Sequence, residues 1–130
     1  MNQGLARAER LKSRKQISQL FSKNNSTFSY PFKLVFSTPE PQNQAAVQLL
    51  ISVSKRTFKL AVDRNRMKRL IRETYRKHKT PLTDLLNKRE QSIRLGVLFV
   101  GKELMDYQQV EKGMIKALKK LEKEISSFDL

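Results

Sequence analysis

The segment from Asp63 to Lys79 leaves this 130-residue chain little choice of fold. Met67, Leu70, Ile71, Thr74 and Tyr75 recur at the spacing that puts side chains on one face of an α-helix, and the residues between them are all charged. Such a helix is stable only when its apolar stripe packs on another layer while the opposite face stays in water. At about 100° per residue, Leu70, Ile71 and Thr74 lie within about 60° of Met67, whereas Lys68, Lys79, Arg72, Asn65, Arg76 and Arg69 fall between about 100° and 200°. Arg64 sits at the margin of the apolar stripe, placed to reach into a cleft beside a sheet. Arg66 and Lys77 point to the other flank.

The bases of the wider stretch Lys55 to Lys79 are Lys55, Arg56, Lys59, Arg64, Arg66, Lys68, Arg69, Arg72, Arg76, Lys77 and Lys79, eleven in all, against Asp63 and Glu73. This net of +9 is most of the +15 carried by the whole chain, which has 27 Lys and Arg against 12 Asp and Glu. Lys68 with Arg72, and Arg72 with Arg76, repel at i, i+4 and cost a free helix a few tenths of a kcal/mol each. A solvated face normally carries acids at that spacing, and here only Glu73 is present. Phosphates would offset the repulsion, and the planar guanidinium fork suits them because it donates two hydrogen bonds at once. Nucleic acid is therefore the first candidate partner and an anionic membrane surface the second.

Other classes are narrowed by composition. With 38% hydrophobic residues the chain can bury a core, and its length suits a single domain over residues 1–130. The absence of cysteine excludes a disulfide framework and a thiolate zinc site. The longest apolar runs, Val47–Val53 and Leu95–Val100, are too short to span a bilayer. No apolar stretch of a secretory signal follows Met1, so a cytoplasmic location is expected, with no membrane partner.

Along the chain, residues 9–23 carry Leu11, Ile17, Leu20 and Phe21 at the spacing of a short amphipathic helix, and Asn24, Asn25 and Ser26 read as a stop and turn. Alternation from Phe28 to Ser37 predicts one half-buried strand with Phe32, Leu34 and Phe36 inward against Lys33 and Val35. Pro39 and Pro41 mark a polar loop, and Val47 to Ser54 a central strand. After the basic helix, Pro81 ends or redirects the chain, with a short helical turn expected over Thr83–Gln91. Ile93 to Val100 is a further strand closed by Gly101. Tyr107, Val110, Met114, Leu118, Leu121 and Ile125 then form the stripe of a last helix. The order predicts an α+β fold, helices on a small sheet.

Aromatics that can stack on unpaired bases are Phe21, Tyr30, Phe32, Phe36 and Phe58. Phe32 and Phe36 alternate as core residues do, leaving Phe21, beside Lys23, as the best stacking candidate. Catalytic chemistry has little to draw on. His78 is the one histidine, Asp63 and Glu73 are isolated, and Glu103 with Asp106 reads as turn and cap chemistry. No catalytic residue, metal ligand or protein-bound cofactor is assigned.

The stretch Ser52–Glu73, SVSKRTFKLAVDRNRMKRLIRE, closely resembles the signature of the protein component of bacterial ribonuclease P. The resemblance rests on Ala61-Val62-x-Arg64-Asn65-Arg66-x-Lys68-Arg69-x-x-Arg72, preceded by Ser52-Val53-Ser54-Lys55. Arg10-Leu11, Leu20-Phe21 and the strand ending at Phe36 extend it over residues 9–125. It implies a two-layer α/β sandwich with a small, mostly antiparallel sheet of about four strands, a fold shared with a domain of a small-subunit ribosomal protein. It also implies a left-handed βαβ crossover, against the usual hand.

The resemblance further implies that Lys55, Arg56, Lys59, Arg64, Asn65, Arg66, Lys68, Arg69 and Arg72 bind a catalytic RNA subunit. Ile17, Phe21, Lys33 and Val35 would receive the single-stranded 5′ leader of precursor tRNA. RNA and Mg²⁺ would perform the endonucleolytic cleavage, with no obligate protein partner. Ile17 and Val35 stand where the family has aromatic cleft residues, leaving fewer stacking platforms. The loop Arg56-Thr57-Phe58-Lys59-Leu60 is one residue longer and lacks the family's frequent glycine, so Phe58 and Lys59 either add contacts or pack. A ribosomal or general RNA-binding protein shares the charge and fold class, and a protein-only nuclease would need a carboxylate cluster that is not evident.

Overall fold

The computed structural model describes residues 25–42 and 45–128. The expected opening helix over residues 9–23, with Ile17, Leu20 and Phe21, lies outside the described residues.

The sheet starts with a hairpin. Strands β1 (Asn25–Ser29) and β2 (Phe32–Phe36) pair antiparallel from Ser29 opposite Phe32 to Asn25 opposite Phe36. The single strand expected over Phe28–Ser37 is thus two, because Tyr30 and Pro31, joined by a cis peptide bond, reverse the chain. Pro31 has no N–H to give a ladder, so the turn falls there. Asn25 and Ser26, expected in a turn, open β1 instead. The Asn25 side-chain amide donates to the Phe36 carbonyl (3.4 Å) and to Thr38 Oγ1 (3.3 Å), closing the hairpin's open end.

β5 (Gln91–Phe99) lies at the centre, antiparallel to β2 on one side and parallel to β4 (Val47–Val53) on the other. The two-residue β3 (Glu40–Pro41), in the expected polar loop, pairs with Ser92 and Gln91 and extends the β2 side. Among the described strands β4 pairs with β5 alone, so the central place expected for Val47–Ser54 is corrected to an edge. Its apolar run misled because both faces of β4 meet apolar neighbours. Leu49 and Val53 face the main core, and Leu50 joins Val35 and Leu98 in a small cluster. Burial of two faces does not require pairing at two edges.

Helices α1 (Ala61–His78) and α2 (Thr80–Lys88) connect the parallel pair β4 and β5 as a βαβ unit, and α3 (Tyr107–Ser126) follows β5. Pro81 begins a helix rather than only ending one: it occupies the first turn of α2, where its missing N–H has no intrahelical partner in any case. α2 closes with Glu90 at φ 56°, whose N–H bonds the Asn87 carbonyl at 3.0 Å before β5 starts. Asp106 and Gln109 cap the start of α3 reciprocally, at 2.9 and 3.1 Å.

The three described helices cover one face of the sheet. Phe32, Leu34 and Phe36 of β2 and Leu95, Val97 and Phe99 of β5 meet Met67, Ile71 and Tyr75 of α1, Leu82 and Leu86 of α2, and Met114, Leu118 and Leu121 of α3. The result is a two-layer α+β sandwich with α1 held by its expected apolar stripe. Truncating a fully buried residue of that stripe, Met67 or Ile71, to Ala costs about 2–5 kcal/mol. No described helix is long and apolar enough to cross a membrane.

Candidate nucleic-acid interface

The turn that leads into α1 is built by Ser54 and Arg64. Ser54 Oγ accepts the Arg56 N–H (3.1 Å), and the Ser54 carbonyl accepts that of Phe58 (3.0 Å). Phe58 is buried with its ring centroid 5.9 Å from that of Phe99, so of the two roles open to it the residue packs. Arg64 does not reach into a cleft beside the sheet. One of its guanidinium nitrogens, Nη1, donates to the carbonyls of Phe58 (2.7 Å) and Lys59 (2.9 Å), because those carbonyls face the first turn of α1 and need donors. Lys55, Arg56 and Lys59 are left exposed on this loop, which feeds directly into the positive end of α1.

On α1, Asn65, Arg66, Arg69 and Arg72 are exposed and Lys68 half-exposed. None of these side chains forms an ion pair or hydrogen bond among the described residues. The acids lie elsewhere: Asp63 is in the first turn, and Glu73 accepts two bonds from Arg76, at 2.6 and 3.3 Å, with Lys77 at 4.0 Å. The hydrogen bond from Arg76 holds the Glu73 carboxyl below its usual range. The own-acid neutralisation is thus confined to the C-terminal turn of α1. The N-terminal two-thirds presents unmatched cations, suited to anchoring phosphates.

Two features escaped the sequence reading. Leu60 and Val62, 63% and 70% exposed, put apolar surface at the same end of α1, offering contact with sugars or bases. Only their place beside the Arg-Asn-Arg triplet hinted at it, since exposed Leu and Val are common. Phe28, omitted from the stacking candidates, is 53% exposed directly across from Lys33 on the sheet face turned away from the helices. Val35 lies two residues along β2 on that face but is buried against Leu50 and Leu98. Tyr30 is 60% exposed at the hairpin turn, whereas Phe32 and Phe36 are core. Ile17 and Phe21 lie outside the described residues.

His78 Nε2 lies 2.9 Å from Glu111 Oε2, tying the end of α1 to α3. Among the described residues no three His, Cys, Asp or Glu side chains gather as a protein-bound metal ion would require.

The chain is similar to known proteins over most of its length. The family model described as Ribonuclease P matches residues 5–122. The ribonuclease P protein component of Porphyromonas gingivalis is 37% identical over 115 residues, covering 88% of this chain and 84% of that protein. The one from Chlorobaculum tepidum is 39% identical over 85 residues, covering 63% and 55%. In three dimensions the chain is similar to the RNase P protein of Staphylococcus aureus, with a TM-score of 0.66 at 24% identity, covering 88% of this chain and 96% of that one. It also resembles the RNase P protein from Thermotoga maritima, with a TM-score of 0.63 at 24% identity over 86% and 96%. With a family model spanning most of its length and a close match to a curated member, the chain belongs to the ribonuclease P protein component family.

Proposed function

We propose that this chain holds the RNA subunit of ribonuclease P on α1 and the preceding loop, and guides the 5′ leader of precursor tRNA along the sheet face that carries Lys33. The observation that carries the first half is the row Lys68, Arg69 and Arg72, with Arg66 on the adjoining flank, cations that no acid among the described residues neutralises. Arg64 joins the RNA site through the loop it holds, and Lys55, Arg56, Lys59 and Asn65 complete it. Phe28 beside Lys33 supports the second half, since an exposed ring next to an ammonium suits a stacked, single-stranded backbone. Ile17, Phe21 and Val35 belong to the same reading by family resemblance.

The holoenzyme would hydrolyse precursor tRNA to leave a 5′ phosphate on the mature end. The RNA and its Mg²⁺ supply the chemistry, and this chain supplies charge neutralisation and positioning in the cytoplasm. The test is a 5′ maturation assay at low Mg²⁺ with the RNA subunit, the protein or both. The mixture alone should process efficiently. Cleavage by the protein alone, or no gain on mixing, overturns the proposal. Phe21→Ala should weaken leader-bearing substrate more than RNA assembly, and equal loss in both would count against that role.

A further inference from the structure

We infer that the outward face of α3 is a second contact surface for the RNA subunit, one that engages phosphates without reading bases. The inference rests on the proposed docking of that RNA on α1. α3 buries Val110, Met114, Leu118, Leu121 and Ile125 along one stripe. Its opposite face, between about 140° and 240° from Met114, carries Lys112, Lys116, Lys119, Lys120 and Lys123. No acid falls within that arc.

The acids of α3 are directed elsewhere. Glu111 faces His78 and Tyr107, and Glu122 is partly buried. Glu124 borders the stripe, but Lys120 donates its ammonium to the Phe28 carbonyl (2.6 Å) instead. None of the five lysines forms an ion pair among the described residues. Lys112 with Lys116, Lys116 with Lys120, and Lys119 with Lys123 therefore repel at i, i+4, the same unfavourable pattern as on α1.

The stripe runs about 16 Å along the helix and borders a groove of about 520 Å³ between α3 and Ser29 at the edge of β1. Ammonium groups act as point charges without the fork geometry of arginine, so this surface suits a phosphodiester backbone of any sequence. Its place in the fold selects the source. α3 packs beside α1 in the helical layer, on the opposite side of the sheet from Phe28 and Lys33. A large folded RNA held by α1 extends over that layer, whereas a leader on the other sheet face does not.

The test compares two variants of the full chain, Lys112, Lys116, Lys119 and Lys123 all changed to Gln, and Arg69 with Arg72 changed to Ala. Binding to the ribonuclease P RNA of the same organism is measured across a salt titration. Each neutralised phosphate contributes about 0.7–0.9 to the slope of log affinity against log salt. The quadruple variant should lower the slope by roughly three, with roughly a tenfold or larger loss of affinity at moderate salt. Its thermal midpoint should hold or rise, since the lysine–lysine repulsion removed outweighs the weak attraction of Lys119 for Glu122.

An unchanged slope in the quadruple variant, with a lowered one in the α1 variant, overturns this inference and leaves the α1 reading standing. An unchanged slope in both overturns that reading as well. RNA binding unchanged but holoenzyme affinity for precursor tRNA reduced, or lost binding to vesicles of anionic lipid alone, would assign the stripe to a different partner and refute it.

Discussion

Arg64 donates from one guanidinium nitrogen to the carbonyl of Phe58, six residues earlier, at 2.7 Å, and this bond separates Arg64 from the other cations of α1. A residue of the Arg-Asn-Arg triplet is thereby part of the fold as well as of the charged surface. Hydrogen bonds from charged donors are worth more than neutral ones, and partial exposure of Arg64 discounts that. Arg64→Ala should therefore lower stability by about 1 kcal/mol and expose the ring of Phe58. Thermal unfolding and near-ultraviolet circular dichroism check it, and an unchanged midpoint would show that the loop holds without Arg64.

Arg69 and Arg72 should behave in the opposite way. Both are exposed and unpaired, so Ala at either position should change stability by less than about 0.5 kcal/mol, or raise it slightly by easing repulsion. RNA affinity should nonetheless fall, with the salt slope reduced by about 0.7–0.9 for each. A variant that loses stability and keeps its slope would place the side chain in the fold and not on the RNA.

The contrast between Arg64 and Arg72 shows what was legible in the sequence. Helical periodicity placed the apolar stripe of α1 and the exposure of Arg72 correctly, because both follow from a fixed angle per residue. It could not show that Arg64 turns back to the loop carbonyls, since that depends on where the chain before Leu60 runs. The hairpin was missed for a related reason. The alternation of Phe32, Leu34 and Phe36 predicts a single strand, and only Pro31, whose missing N–H bounds β2, marks the turn. The apolar run of β4 predicts a central strand because apolar residues on both faces resemble a doubly paired one. Phe28 escaped because its exposure depends on which hairpin face the helices cover.

Gly113 tests how closely α3 lies on that hairpin. A Cβ built there would stand 2.5 Å from Cδ of Pro31, a ring that cannot rotate aside. Alanine is favoured over glycine inside a helix by about 0.8–1.0 kcal/mol, so propensity alone predicts that Gly113→Ala stabilises. The close approach outweighs this, because overpacking a rigid contact costs about 1–3 kcal/mol. Net destabilisation is expected, and combining Gly113→Ala with Pro31→Ala should recover part of it. A more stable single variant would mean that α3 shifts freely from the Tyr30–Pro31 turn.

Two acids on α3 should give the stability of the protein opposite responses to pH. The hydrogen bond with His78, aided by the charge of His78, by Tyr107 and by Lys77, holds the Glu111 carboxyl below its usual range despite some desolvation. Burial pushes that of Glu122 up, and Lys119 only partly draws it back. A lowered folded-state value means that the contribution of Glu111 is complete above the ordinary carboxylate range and is lost as pH falls through the lowered value. For Glu122 the sign reverses. Its carboxyl is better tolerated when neutral, so its cost is absent in acid and grows as pH rises through the raised value. Glu111→Gln should therefore lower the thermal midpoint near about pH 7 and shrink the fall between about pH 6 and pH 3. Glu122→Gln should raise the midpoint near about pH 7 and leave it unchanged near about pH 3. If both variants moved the midpoint alike at every pH, the difference between a carboxylate held by His78 and one pressed against the core would not govern the acid response.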